Sequence, residues 1–140
     1  MLDNNLKQQL GQYLELLEGD IVLTASKGDD KASQDMMELL NEISMMSDKI
    51  SIQETSLKRT PSFTVGRPEE EARITFAGVP LGHEFTSLVL ALLQVSGRAP
   101  KLDEAVIDQI KKIDKPLNFE TFISLTCTKC PDVVQALNVM

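Results

Sequence analysis

The order of helix and strand patterns between Leu2 and Gly97 constrains the fold of this chain more than any other feature. Leucines recur three or four residues apart from Leu2 onward, and this spacing predicts an amphipathic helix to about Glu18, with Gly19 as its stop. The next segment, "DIVLTAS", is typical of a short buried strand. A second apolar stripe in "DDKASQDMMELLNEISMMSD" predicts a second helix, with Asp29 or Asp30 as its N-cap.

Three further strand patterns and one helix pattern follow. "KISIQE" alternates as a strand does, and the helix before it leaves room for a crossover between parallel neighbours. "PSFTVG" and "ARITFAG" are separated by Gly66, Pro68 and an acidic run, which predicts a hairpin. "PLGHEFTSLVLALLQVSG" predicts a third helix that ends at Gly97.

This order contains a βαβ half followed by a ββα half. It predicts an α/β protein with a central mixed sheet flanked by helices, the plan of a thioredoxin-like fold with an extra N-terminal helix. Residues 1–98 supply every element of this first unit. Thr60 and Pro61 lie where that fold has a cis-proline, although an ordinary trans-proline at the start of an edge strand is nearly as consistent with the pattern.

Residues 99–140 carry the start of a second unit of the same kind. "KLDEAVIDQIKKID" has the apolar stripe of a fourth helix, and Pro116 ends that pattern. "LNFETFISLT" alternates like a strand over residues 117–125. From Pro131 onward the residues fit a helix that opens with proline in its first turn. The chain therefore predicts one thioredoxin-like fold followed by the incomplete start of another.

Both cysteines of the chain, Cys127 and Cys130, lie directly before the last predicted helix. Free backbone N–H groups at a helix N-terminus, together with the charge of Lys129, favour the thiolate form of Cys127. A cysteine one helical turn later is close enough to form a disulfide without movement of the backbone. The spacing therefore favours a redox couple in which Cys127 attacks and Cys130 resolves.

Two other interpretations of the cysteine pair stay open at this level. The same spacing is half of many zinc sites, but His83 is the only other good candidate ligand. Two buried reduced thiols are the other alternative, although burial does not explain the spacing or the position before a helix. His83 itself lies beside Glu84 and is more typical of a capping or surface group than of an acid–base couple.

Charge and hydropathy exclude several classes of partner. Lys and Arg number 14 against 21 Asp and Glu, a net charge of -7, and no basic run is interleaved with aromatics. We therefore expect no nucleic-acid partner. The apolar stretch "FTSLVLALLQVSG" is too short to span a bilayer, so we expect no membrane association. The first residues lack the basic and apolar regions of a signal peptide, which predicts a cytoplasmic protein.

Two longer blocks carry a family resemblance. "FAGVPLGHEFTSLVLALL", from Phe76 to Leu93, and "CPDVVQALN", from Cys130 to Asn138, resemble the N-terminal region of the alkyl hydroperoxide reductase flavoprotein subunit. The opening "MLD", "PSF" at 61–63 and "FET" at 119–121 are also similar to that family. The resemblance covers essentially the whole chain. It implies two fused thioredoxin-like folds, of which only the second carries a C-x-x-C pair.

The resemblance also implies a function. In the family, electrons pass from NADH to FAD, then to a disulfide of the flavin-bearing part, and then to the pair that Cys127 and Cys130 match. That pair reduces the disulfide of a peroxiredoxin, which reduces peroxides. The resemblance thus predicts a thiol-disulfide oxidoreductase module whose partners are a peroxiredoxin and a flavin-bearing disulfide reductase domain. FAD and NADH belong to the family's C-terminal part, and we assign no cofactor residues to this chain.

The chain departs from the family because it lacks the later strands of the second fold and the FAD and NADH domains. Whether it is an enzyme by itself stays open, and the alternative function is a non-catalytic scaffold or interaction module with an incomplete redox site. A strand over residues 117–125 would have an unpaired edge. We therefore expect residues 117–140 either to dock onto the first unit or to pair with a second copy of the chain.

Overall fold

The computed structural model describes residues 2–140. Met1, the first residue of the predicted first unit and of the "MLD" block, lies outside the described residues. Over the described part the elements follow in the order α1 (Asn4–Leu14), β1 (Ile21–Ser26), α2 (Lys31–Met45), β2 (Ile50–Glu54), β3 (Ser62–Gly66), β4 (Ile74–Phe76), a 3-10 turn (Gly82–Glu84), α3 (Phe85–Ser96), α4 (Glu104–Lys111) and α5 (Cys130–Val139).

The strands form one mixed sheet with the order β2-β1-β3-β4. β1 runs parallel to β2, with Leu23 opposite Ile52, and α2 makes the crossover between them. β3 runs antiparallel to both β1 and β4, so the predicted hairpin is confirmed. This arrangement is the mixed sheet with flanking helices that the sequence patterns predict.

The hydrophobic core lies in the part of the chain that ends at Ser96. Phe63 of β3 is fully buried, and its ring stacks on that of Phe76 with the centroids 5.4 Å apart. α3 lies against the sheet and buries a run of apolar side chains, Leu88, Val89, Ala91, Leu92 and Leu93. By contrast, no side chain from residue 97 to residue 140 is buried. Burial of apolar surface therefore stabilises the first unit and contributes little to the rest.

α1 ends at Leu14 and not near Glu18 as the leucine spacing predicts. Beyond the helix, Leu17 turns into the core, and its carbonyl accepts a hydrogen bond from Lys49 Nζ at 2.7 Å. The Glu18 N–H donates to Ser96 Oγ at 3.2 Å. These groups find partners in other elements, so the helical hydrogen-bond pattern is not needed to satisfy them.

Two helix ends follow the predicted chemistry. Of the two candidate caps of α2, Asp30 is the one used, and its carboxylate accepts from the Ser33 N–H at 3.1 Å. Hydrogen bonds from the side chain and backbone of Ser33 hold the pKa of Asp30 below its ordinary value. α3 ends at Gly97, whose φ of 126° lies outside the range that side-chain-bearing residues readily adopt.

The predicted strand over residues 117–125 is wrong. Within the described chain, residues 114–123 make no backbone–backbone hydrogen bond, and the segment contains no strand. A strand exists only beside a neighbour that completes its hydrogen bonds, and the four-stranded sheet has no member next to this segment. The alternation of Phe119, Thr121 and Ile123 is real, but its partner strand is absent from residues 2–140.

The distribution of buried side chains generates a stability prediction. Phe63→Ala should lower the free energy of unfolding by about 3–5 kcal/mol, because it removes a fully buried ring from the centre of the sheet. Phe122→Ala is the matched control, since that ring is 81% exposed, and should cost less than about 1 kcal/mol. Urea unfolding followed by circular dichroism measures both, and equal losses would contradict the location of the core.

Candidate functional site

The cysteine pair lies at the N-terminus of α5, where the helix-start pattern predicts it. Cys127 and Cys130 form a disulfide with their Cα atoms 5.5 Å apart. The Cys127 N–H donates to the Ser124 carbonyl at 3.0 Å, and the Cys130 N–H points at Cys127 Sγ at 3.2 Å. A backbone donor aimed at this sulfur would stabilise a thiolate there after reduction. Both cysteines are partly exposed, so a partner can reach the pair.

The chain just before the cysteines lies against the 3-10 turn of the first unit. The His83 N–H donates to the Leu125 carbonyl at 3.1 Å. Gly82 has a φ of 57°, and a Cβ built there would lie 2.9 Å from the Leu125 carbonyl oxygen. Only glycine allows both the turn conformation and this close approach. The turn therefore holds the backbone two residues ahead of Cys127.

The helix after the cysteines lies against α3, and one polar contact links the two. Gln135 Nε2 of α5 donates to Ser87 Oγ at 3.2 Å, and the Ser87 hydroxyl donates to Glu84 Oε1 at 2.7 Å. Ser87 is fully buried and Glu84 is only 1% exposed. Within residues 2–140, the atoms Glu84 Oε2 and Asn138 Nδ2 are buried without a hydrogen-bond partner. The interface under α5 is therefore polar at its centre, which is unusual for helix packing.

Residues 117–123 are attached to the first unit by charge. Glu120 forms ion pairs with Lys58 Nζ at 3.3 Å and with Arg59 Nη2 at 3.2 Å. The hydrogen bond and charge of Lys58, and then the charge of Arg59, hold the pKa of Glu120 below its ordinary value. The Arg59 guanidinium also lies 5.7 Å from the centre of the Phe122 ring. All four side chains are exposed, so this attachment is weak.

The corresponding junction of the first unit, "TASKGDD", carries no cysteine and is closed by its own hydrogen bonds. The Ser26 and Thr60 hydroxyls lie 2.7 Å apart, and the Gly28 N–H donates to Ser33 Oγ at 2.8 Å. The Thr60–Pro61 peptide bond is cis, which decides between the two alternatives that the sequence leaves open. The thiol chemistry of the chain is confined to the second unit.

The remaining candidates from the sequence do not form a second site. The His83 side chain is exposed, while Glu84 turns inward and bonds to Ser87, so the two do not act as an acid–base pair. Across residues 2–140, no group of three or more His, Cys, Asp and Glu side chains is arranged to hold a metal ion.

Sequence reasoning missed the contribution of Glu84, Ser87 and Gln135 to this site. Their signal was present in the two blocks of family resemblance, "GHEFTS" and "PDVVQAL". The packing of one block on the other becomes visible only in the fold.

No helix in the described part of the chain is long and apolar enough to cross a membrane.

Comparison with known proteins agrees with the family resemblance. No protein-family model matches the chain. The alkyl hydroperoxide reductase AhpF of Staphylococcus epidermidis is 66% identical over 140 residues, which cover 100% of this chain and 28% of the relative. The same protein of Staphylococcus aureus is 64% identical over the same span. The chain thus spans 28% of the length of these curated relatives.

Solved structures share the fold. The NTD_N/C domain of alkylhydroperoxide reductase AhpF from Enterococcus faecalis matches with a TM-score of 0.85 at 25% identity, covering 99% of this chain and 73% of that one. A protein disulfide oxidoreductase from Aeropyrum pernix gives a TM-score of 0.79 at 19% identity, over 99% of this chain and 68% of that one, and shows a common fold alone. The thioredoxin-like fold and the resemblance predicted from the sequence are confirmed.

The ion pairs of Glu120 generate a prediction for the 117–123 segment. Glu120→Gln should increase the rate of chymotrypsin cleavage after Phe119 and Phe122 about two- to fivefold, because the segment loses its charged attachment. High salt should narrow the difference by screening the pairs in the parent chain. Glu71→Gln, at an exposed carboxylate outside the segment, is the control and should leave the rate unchanged.

The lowered pKa of Glu120 fixes the sign of the pH effect. The attachment is fully present above the pKa of the unfolded carboxyl and is lost as the pH falls through the lower, folded value. Acidification should therefore loosen the segment in the parent chain and leave Glu120→Gln unaffected. A variant with the same pH response as the parent would contradict this assignment.

Proposed function

Because the chain matches the N-terminal part of the alkyl hydroperoxide reductase AhpF over its full length, we propose that it is a thiol-disulfide relay module for peroxide reduction. One observation carries the proposal: Cys127 and Cys130 form a disulfide at the start of α5, partly exposed and with a backbone N–H aimed at the first sulfur. This arrangement suits thiol-disulfide exchange.

The proposed reaction begins from the reduced pair. The Cys127 thiolate attacks one sulfur of a partner disulfide, the partner's sulfur–sulfur bond breaks, and a mixed disulfide forms as one partner thiolate leaves. The Cys130 thiolate then attacks Cys127 Sγ and releases the second partner thiol. Two electrons and two protons pass to the partner, and the chain is left with the disulfide seen in the structure. An upstream dithiol returns the pair to its reduced state by the same steps.

The residues of this chain supply geometry and electrostatics to that exchange. The 5.5 Å between the two Cα atoms allows Cys130 to reach Cys127 Sγ without backbone movement. The Cys130 N–H and the N-terminus of α5 favour negative charge on Cys127 Sγ, which makes Cys127 the better nucleophile and the better leaving group. Cys127 is therefore the proposed attacking residue and Cys130 the proposed resolving residue.

The proposed partners follow from the family resemblance. Electrons would come from a flavin-bearing disulfide reductase domain that carries FAD and uses NADH, and they would pass to the disulfide of a peroxiredoxin. No residue of this chain is assigned to the flavin or the nicotinamide. A relay fed by NADH would work in the cytoplasm, which is the proposed location. The division into a scaffold unit, 1–98, and a cysteine-bearing unit, 99–140, is part of the same proposal.

A second candidate function rests on the exposure of residues 97–140. This part of the chain buries no side chain, and residues 114–123 make no backbone–backbone hydrogen bond within the described chain. Such a segment suits an interaction module that binds without turnover. Pairing of two copies through residues 117–125 would supply the missing hydrogen bonds, and sedimentation over a range of concentrations measures it.

Turnover separates the relay from the interaction module. With dithiothreitol as reductant, the parent chain should accelerate reduction of a small model disulfide, and Cys127→Ser should reduce the rate to that of dithiothreitol alone. Cys130→Ser is the informative control, because Cys127 can still attack and the mixed disulfide should accumulate. If the parent and Cys127→Ser are equally slow, the relay function is lost and the interaction module is left.

A further inference from the structure

We propose that Gly82 and Ser87 are positioning residues for the cysteine pair, because the start of α3 and the turn before it hold the chain on both sides of the disulfide. This inference rests on the proposed relay function and extends it. The first unit carries no thiol, yet it determines how the second unit presents its own. Neither residue touches a sulfur atom.

The first contact fixes the chain ahead of Cys127. The His83 N–H holds the Leu125 carbonyl at 3.1 Å, and this contact requires that residue 82 have no side chain. A methyl group on Gly82 would lie 2.9 Å from the carbonyl oxygen and 3.4 Å from Leu125 Cβ. The first of these distances involves backbone on both sides, so the segment that leads into Cys127 would have to move.

The second contact fixes the helix that follows Cys130. Gln135 lies on α5 and reaches Ser87 Oγ, whose own proton goes to the buried carboxylate of Glu84. The Ser87 hydroxyl accepts one hydrogen bond and donates another, so both of its neighbours depend on it. Loss of this hydroxyl would leave the Gln135 amide and Glu84 Oε1 without their partner in a buried interface.

The two contacts together set the angle between the Cys127 segment and the axis of α5. That angle decides whether the Cys130 N–H and the end of the helix point at Cys127 Sγ, as they do at 3.2 Å. The electrostatic effect of a helix terminus falls off within one turn, so a small displacement weakens it. Release of either contact should therefore make the Cys127 thiolate less stable and leave the fold of the first unit intact.

Gly82→Ala tests the first contact, with Gly78→Ala as its matched control. Gly78 also has a positive φ, of 124°, but a Cβ there would meet nothing within 4 Å. In reduced chains that also carry Cys130→Ser, the ultraviolet absorbance of the thiolate gives the pKa of Cys127. Gly82→Ala should raise that pKa, so that the ratio of thiolate to thiol near neutral pH falls about two- to fivefold. Gly78→Ala should leave it unchanged.

An equal pKa in Gly82→Ala and the parent chain, or an equal rise in both glycine variants, would overturn the first contact. Backbone strain alone would act at both positions, whereas the proposed displacement acts only at Gly82. Thermal unfolding of each variant checks that the first unit is folded during the titration.

Gln135→Met tests the second contact, because methionine keeps the length of the side chain and removes its N–H donor. Gln94→Met makes the same change on α3, away from α5, and is the control. We expect Gln135→Met to raise the pKa of Cys127 and Gln94→Met to have no effect. Ser87→Ala should raise it as well, and the double variant should add little to either single change.

Fully additive effects of Ser87→Ala and Gln135→Met would overturn the second contact, as would an unchanged pKa in Gln135→Met. If Ser87→Ala does not fold, the Gln135→Met and Gln94→Met pair decides the question. The titration reads the thiol directly and needs no partner protein. Failure of the relay in the turnover assay would therefore refute the proposed function without altering this result.

Discussion

The packing of α3 against the sheet is the contact on which the rest of the structure depends. One face of the helix buries Leu88 and Leu92 under β1 and β3 and closes the core of the first unit. Its first turn presents Ser87 to α5, and the 3-10 turn before it presents a backbone N–H to Leu125. The same helix is therefore both the lid of the core and the platform of the cysteine site.

The hydrophobic periods of the chain predict most of the first unit because each element there buries one face. β1, β2, β3 and β4 alternate or form short apolar runs, and their order leaves few topologies to consider. The end of α1 was missed because Leu17 and Glu18 find partners on Lys49 and Ser96, which are distant in the sequence. Local patterns do not contain such contacts.

The second unit shows the opposite limit of sequence reasoning. Residues 117–125 have the alternation of a strand but no neighbouring strand, so the pattern records a capacity that the described chain does not use. The cysteine pair was predicted correctly because helix-start chemistry is local. The network of Glu84, Ser87 and Gln135 was not, because it joins residues 48 positions apart through a buried interface.

The position of the core in the first part of the chain has a consequence for synthesis. Domains fold as units, and the N-terminal one folds first as the chain leaves the ribosome. The turn at Gly82 and the start of α3 belong to that early unit, whereas the cysteines emerge more than forty residues later, at 127 and 130. We expect the surface that receives the redox loop to be formed before either thiol is exposed, so that α5 matures on a finished template.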